Sequence, residues 1–290
     1  MNKKLALYSI FLVLGVTLNL YYYWGSIWTI WAKHYIKDQD IIISMTTTPH
    51  RIKQLEAPLE CLARQNVAVR QIYISIPYVF KREQMTYSVP DWLDNYPNVT
   101  ILRTQDYGPA TKLLGALKNA QINPDTIIVA VDDDTCYPDN TILQLAVRAK
   151  RNPYKAIGIS GAELDFDKNK SGGIIKIMRD HADVSILEGF AGVAYRAVFF
   201  DDEIYDVVNA PNCCYNSDDL YISFHLAKNH IKRESIYNRF IKVTNIKQQG
   251  FGFEKDALFR LNGSQATRYL ECARYLKQKY PHVAFSIKPS

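Results

Sequence analysis

Near the middle of the chain an apolar run, Thr126-Ile-Ile-Val-Ala-Val131, stops at three consecutive carboxylates, Asp132, Asp133 and Asp134, followed by Thr135-Cys136-Tyr137-Pro138. A β-branched and apolar run without polar alternation reads as a strand buried on both faces, which points to a parallel sheet covered by helices. Ligands of such open sheets bind beyond the carboxyl ends of the strands. The acids therefore stand where a ligand would.

Neighbouring carboxylates repel one another, and a divalent cation is the natural partner that neutralises them. In extended chain Asp132 and Asp134 point to one side and Asp133 to the other, so the first and third are candidate ligands of a single ion. Carboxylate oxygens suit Mg2+ or Mn2+, which keep coordination positions for water and phosphate oxygens. A solvated acidic turn, or a cap for a helix starting at Pro138, accounts for the same residue types. An EF-hand loop does not fit, because Tyr137 stands where that loop requires glycine.

Around this junction, short apolar strands alternate with helical patterns. Strands are predicted at Ile41–Met45, Gln71–Ile76, Val99–Arg103, Thr126–Val131, Ala156–Ser160 and Gly192–Tyr195. Leu113, Leu114, Leu117 and Ala120 mark one helical face, and Ile142, Leu143, Ala146 and Val147 another. Ser264 is a candidate cap for a last helix whose stripe, Tyr269, Leu270, Ala273 and Leu276, reads as core packing. The expected fold class is α/β, a mostly parallel sheet flanked by helices. With 290 residues, 48% of them hydrophobic, the chain supports one core and one catalytic domain. The net charge of +6 is spread along the chain without a long Lys/Arg block, so no nucleic-acid partner is expected. Cys61, Cys136, Cys213, Cys214 and Cys272 lack zinc-site spacing, and their odd number leaves at least one unpaired.

Residues 5–32 contain no Asp, Glu, Lys or Arg, and Tyr21-Tyr-Tyr-Trp24, Trp28 and Trp31 look like an interfacial aromatic belt. One uncleaved transmembrane helix is predicted there, longer than a signal-peptide core. The division that follows is a tail at 1–4, a membrane anchor at 5–32, a stem at 33–39 and a catalytic domain at 40–290. Lys3 and Lys4 favour a cytosolic N-terminus and a single-pass type II placement.

The strand running into Ile43-Ser-Met-Thr-Thr-Thr-Pro-His-Arg51, the Tyr107-Gly-Pro-Ala-Thr-Lys112 segment and the Val131-Asp-Asp-Asp134 strand end together resemble nucleotide-sugar glycosyltransferases of the GT-A fold. The likeness spans most of residues 40–230. It implies a Rossmann-like GT-A sheet and identifies the acidic tripeptide with the DXD motif, with Asp132 and Asp133 on the nucleotide sugar and Asp132 and Asp134 on Mn2+ or Mg2+. It also implies a nucleotide-diphosphate donor, a glycan, glycoprotein or glycolipid acceptor and, in a eukaryote, a Golgi or endoplasmic reticulum lumenal domain.

In the loop after the first strand, Thr46, Thr47 and Arg51 are candidates for holding nucleotide or phosphate; Arg51 reads equally as a surface arginine near a helix start. Lys112 falls in a first helical turn, where a cation is unfavourable unless an anion is near, which favours phosphate. Asp106 resembles the acid placed near the nucleotide, and equally a turn-stabilising Asp. Glu188-Gly-Phe-Ala-Gly192 looks like an acceptor loop: Glu188 for hydroxyls, Phe190 for a sugar face, Gly192 for close approach. An ordinary bulged strand entry also explains it.

Asn216-Ser217-Asp218-Asp219-Leu220 resembles the acidic motif that supplies the base in inverting members, with Asp-Asp here where Glu-Asp is usual. That places Asp219 as base and Asp218 as its support; Ser217 as N-cap with acids in the first turn explains the same residues. His225, His230 and His282 show no ligand motif, and Gly250-Phe-Gly-Phe253 reads as a lid or a turn. Two other classes compete. Asp132-x-Asp134 also resembles the first motif of haloacid-dehalogenase-like phosphatases, although Cys136 replaces its Thr or Val. The other class is a non-catalytic, membrane-tethered sugar-binding protein on the same fold.

Overall fold

The computed structural model describes residues 24–165, 173–177, 179–237, 244–245 and 265–285. In chain order, a helix at 24–35 (α1) leads into β1 (Ile41–Thr46), α2 (Glu56–Ala63), β2 (Gln71–Pro77), α3 (Asp91–Asp94), β3 (Val99–Thr104), α4 (Thr111–Leu117), β4 (Ile127–Ala130), β5 (Thr135–Cys136), α5 (Thr141–Arg151) and β6 (Lys155–Gly158). There follow β7 (Gly161–Asp165), β8 (Gly173–Ile177), β9 (Ala182–Asp183), β10 (Ile186–Leu187), β11 (Val193–Arg196), α6 (Asn212–Tyr215), α7 (Asp218–Lys228), β12 (Lys232–Ser235), β13 (Thr244–Asn245) and α8 (Gln265–Lys279).

The main sheet is eight-stranded, in the order β3-β2-β1-β4-β11-β6-β12-β9. β1, β2, β3 and β4 pair in parallel, as do β6 and β12, whereas β11 runs antiparallel to both β4 and β6. All six predicted strands are present, each within about two residues of its expected ends. The helical stripe expected through Ala120 stops at Leu117.

The central strands bury both faces because alternate side chains enter different layers. Ile42, Ile128 and Ala130 pack with Leu113 and Leu114 of α4, Phe224 of α7 and Leu276 of α8. Ile41, Ile43, Met45, Ile127 and Val129 face Leu59 of α2 and Leu143 and Ala146 of α5. Sandwiched this way, β1 and β4 hold their carboxyl ends rigidly, and the site is built there. Two disulfides tie peripheral elements down: Cys61–Cys136 joins α2 to β5, Cys214–Cys272 joins α6 to α8, and Cys213 is free. Loop closures of 75 and 58 residues stabilise the fold by about 4 kcal/mol each in the chain-entropy picture.

The membrane expectation is corrected. Among the described residues no helix is long and apolar enough to cross a membrane, which overturns the type II, single-pass placement with a Golgi or endoplasmic reticulum lumenal domain. Of the expected anchor, residues 24–32 are described and belong to α1. It docks on the α/β body instead: Ala32 and Ile36 are buried in the layer that contains α5, Lys150 Nζ donates to the Tyr35 carbonyl at 2.5 Å, and the Arg151 guanidinium lies 5.0 Å from the Trp31 ring. Residues 5–23, Ser264 and the Gly250–Phe253 stretch lie outside the described residues.

Candidate active site

A cavity of about 320 Å³ opens at the carboxyl ends of β1 and β4. Of the residues singled out in the sequence, Thr46, Thr47, Arg51, Asp106, Lys112, Asp132, Asp133, Asp134, Phe190, Asp218 and Asp219 line it. β1 ends in Thr46 and the loop after it delivers Thr47, the chain beyond β4 delivers the three acids, the first turn of α4 delivers Lys112, and the first turn of α7 delivers Asp218 and Asp219. Glu188 and Gly192 are not in its lining.

The acidic tripeptide lies outside the strand. β4 ends at Ala130, and Asp133 and Asp134 form a turn, so strand alternation does not govern where the three acids point. Asp133 is the buried member and pairs with Arg51 Nη2 at 2.9 Å, while Asp134 lies 3.7 Å from Arg51 Nη1. Burial pushes the Asp133 carboxyl up to about 6, against the opposing pull of Arg51. Asp132 turns the other way and accepts from Lys112 Nζ at 2.7 Å. The turn is pinned by Tyr137, whose hydroxyl accepts from the Asp132 N–H at 2.9 Å and donates to the Phe190 carbonyl at 3.0 Å.

Lys112 joins the two halves of the site. Its side chain is 8% exposed and its ammonium lies 2.7 Å from Asp132 and 3.0 Å from Asp218. Burial pushes its pKa down, but the carboxylates of Asp132, Asp218 and Asp219 outweigh that and hold it well above the usual lysine value. The anion that a lysine in a first helical turn requires is therefore supplied by the protein's own acids.

Asp219 is held differently. Its Oδ1 accepts from the Gly189 N–H at 2.9 Å and its Oδ2 from the Tyr269 hydroxyl at 3.3 Å. Burial, reinforced by neighbouring Asp218, raises its pKa well above the ordinary aspartate value. A base with a raised pKa is a stronger proton acceptor once ionised. Ser217, although in the N-cap position, makes no side-chain cap bond, and among the described residues its buried hydroxyl has no hydrogen-bond partner; both acids lie in the first turn of α7, where the helix dipole favours them. A Cβ at Gly189 would lie 2.8 Å from Lys112 Nζ and 2.9 Å from Asp219 Oδ1, so any side chain there would have to displace these two groups.

Several expected roles shift. Both oxygens of Asp106 are taken by backbone N–H groups, Lys81 at 2.7 Å and Gly108 at 2.8 Å, so it braces the turn before α4. Gly108 sits at φ +62, and a Cβ there would come within 2.6 Å of the Tyr215 carbonyl oxygen. Glu188 is buried and accepts from Ser160 Oγ at 2.5 Å, with Lys176 Nζ at 3.6 Å. Gly192, at φ +95, turns the chain into β11 behind the cavity wall. Phe190 keeps an exposed ring on the cavity, 5.2 Å from Lys176 Nζ. The Thr46 hydroxyl donates to the Ser75 carbonyl at 2.7 Å, and the Thr47 carbonyl accepts from Tyr87 at 2.9 Å.

The cavity also contains residues that sequence reasoning passed over. Arg82 comes from the loop after β2, and Gln265, Arg268 and Tyr269 come from the start of α8. Arg82 lies in a mixed Lys81-Arg82-Glu83 stretch that carries no period, and Tyr269 lies within a stripe that packing alone explains. Among the described residues no group of three His, Cys, Asp or Glu side chains is gathered to hold a metal. Asp132 and Asp134, both partly exposed to the cavity, are hard oxygen donors of the kind Mg2+ or Mn2+ takes; here Asp132 pairs with Lys112 and Asp134 lies beside Arg51.

Neither a protein-family model nor a curated protein sequence matches the chain. Among solved structures, the chain is similar to the 2-C-methyl-D-erythritol 4-phosphate cytidylyltransferase of Francisella tularensis. The identity is 14% and the TM-score 0.41, and the match covers 73% of this chain and 97% of that one. A likeness of that size leaves the activity to be read from the site.

Proposed function

We propose that the chain is a GT-A glycosyltransferase whose catalytic domain, residues 40–290, moves a sugar from a nucleotide-diphosphate donor to a hydroxyl of a glycan, glycoprotein or glycolipid, with inversion. One observation carries this reading: the acidic turn after β4 and the acid pair opening α7 meet in one cavity, bridged by Lys112. The first is suited to a diphosphate and its cation, and the second to taking a proton from an attacking hydroxyl.

Asp132 and Asp134 would hold Mg2+ or Mn2+, which supplies neutralisation of the leaving diphosphate. Arg51 would present its solvent-accessible guanidinium to the same oxygens, Lys112 would keep its charge between Asp132 and Asp218, and the Phe190 ring would form a wall for a sugar. The acceptor oxygen attacks the anomeric carbon while the bond from that carbon to the diphosphate oxygen breaks, and Asp219 takes the acceptor proton. Asp218, paired with Lys112, keeps that lysine aligned between the two halves.

The test is turnover of a panel of nucleotide sugars by the full chain, with and without Mn2+, beside Asp134→Asn. Mn2+-dependent release of one nucleotide, lost in the variant, supports the reading and names the donor. Phosphatase activity on a generic phosphomonoester, with no binding of any nucleotide sugar, overturns it.

A further inference from the structure

α8 has the pattern of a packing helix, and Tyr269, Leu270, Ala273 and Leu276 are indeed buried. Its first turn does something more. Gln265, Arg268 and Tyr269, at i, i+3 and i+4, share one face and line the cavity. Tyr269 is 4% exposed, and its phenol stands between α8 and α7: Gln265 Nε2 donates to its oxygen at 3.2 Å, and its hydroxyl donates to Asp219 Oδ2 at 3.3 Å. The latter is long for a phenol–carboxylate bond. Among the described residues, the Gly189 N–H reaches Oδ1 and the Tyr269 phenol reaches Oδ2.

The chain between α7 and α8 is long, so local sequence does not align the two helices. The core shared by Phe224 and Leu276 and the Cys214–Cys272 disulfide do: α6 immediately precedes α7, Cys272 lies one turn beyond Tyr269, and the two Cα atoms are 4.8 Å apart. A base must hold its oxygen within hydrogen-bond reach of the proton it removes, and a misplacement of about 1 Å costs on the order of a hundredfold in rate.

We propose, on the transferase reading above, that Tyr269 is the positioning residue of Asp219, fixing Oδ2 toward the acceptor hydroxyl, and that the Cys214–Cys272 crosslink keeps α8 in the register this requires. Tyr269 acts through Asp219 and contributes no contact to the donor.

Four forms of the full chain test this: wild type, Tyr269→Phe, Asp219→Ala and the double variant, each assayed for kcat and donor KM. Tyr269→Phe, which removes only the hydroxyl, is expected to lower kcat about tenfold with donor KM within about twofold, and to have no further effect in the Asp219→Ala background. The Cys214→Ala/Cys272→Ala variant is expected to show the same kcat loss at unchanged donor affinity. Full kcat in Tyr269→Phe, or an equal loss in both backgrounds, overturns the proposal while leaving the transferase reading intact. A wild-type chain that neither binds nor turns over a nucleotide sugar overturns both.

Discussion

The two halves of the cavity hold their acids by different means. On the β1–β4 side, Arg51 spans Asp133 and Asp134 at 2.9 and 3.7 Å, and its side chain is 24% exposed. On the α7 side, Lys112 is nearly sealed from water between Asp132 and Asp218, and Asp219 is left to two uncharged donors, Gly189 and Tyr269. A solvent-accessible guanidinium can exchange its partners for phosphate oxygens at small cost. A carboxylate held by neutral donors in the cavity wall keeps its place and its raised proton affinity. The first half is built to trade ligands and the second to stay put.

The sharpest break in this comparison is Asp219→Asn. On the proposed function, kcat falls by about 10²- to 10⁴-fold with donor affinity unchanged, as steady-state kinetics beside donor titration would show; a loss confined to donor binding would assign Asp219 to the wrong half. Next comes Lys112→Met, which leaves buried Asp218 and partly exposed Asp132 unopposed. It should cost about 3–5 kcal/mol of stability by urea denaturation, more than Arg51→Met at the exposed half. Equal costs would erase the distinction drawn between the two cations.

The third prediction concerns the backing of the α7 half. His225 is fully buried among Tyr221, Phe224 and Tyr280, and among the described residues neither ring nitrogen has a hydrogen-bond partner. Burial, with Lys228 adding to it against Asp201 and Glu203, lowers its pKa to about 4. The unfolded chain binds this proton near pH 6.5 and the folded chain only near pH 4, so the stabilisation is complete above about pH 6.5 and is lost as pH falls through about 4. The loss amounts to about 3 kcal/mol, read as a falling urea midpoint that His225→Phe flattens. The smallest effect belongs to Arg51→Lys. A single ammonium does not reach both Asp133 and Asp134, so donor KM should rise about tenfold at nearly unchanged kcat.

Much of this molecule was legible from pattern. The Thr126–Val131 run marks a central strand because burial on both faces leaves no polar alternation, and the other five predicted strands and the α4 and α5 stripes follow from period. The antiparallel direction of β11 was not legible, since Val193–Arg196 is buried throughout and such a run reads alike in either direction. β9 and β10, of two residues each, are too short to show any period. The candidate acids were recognisable because unusual residue types cluster at Asp132–Asp134 and Asp218–Asp219.

What the amino-acid order determined by itself is which residues are apolar at which spacing and where carboxylates interrupt them; those are local quantities, so the strands, the helices and the acidic turn were readable. Only the tertiary structure decided that Lys112 is shared between Asp132 and Asp218, that Cys214 pairs with Cys272, that Glu188 and Asp106 are spent on internal contacts, and that Tyr269 touches Asp219. Each is a contact between segments distant along the chain, and such pairings depend on how the layers close over the sheet, which no local pattern encodes.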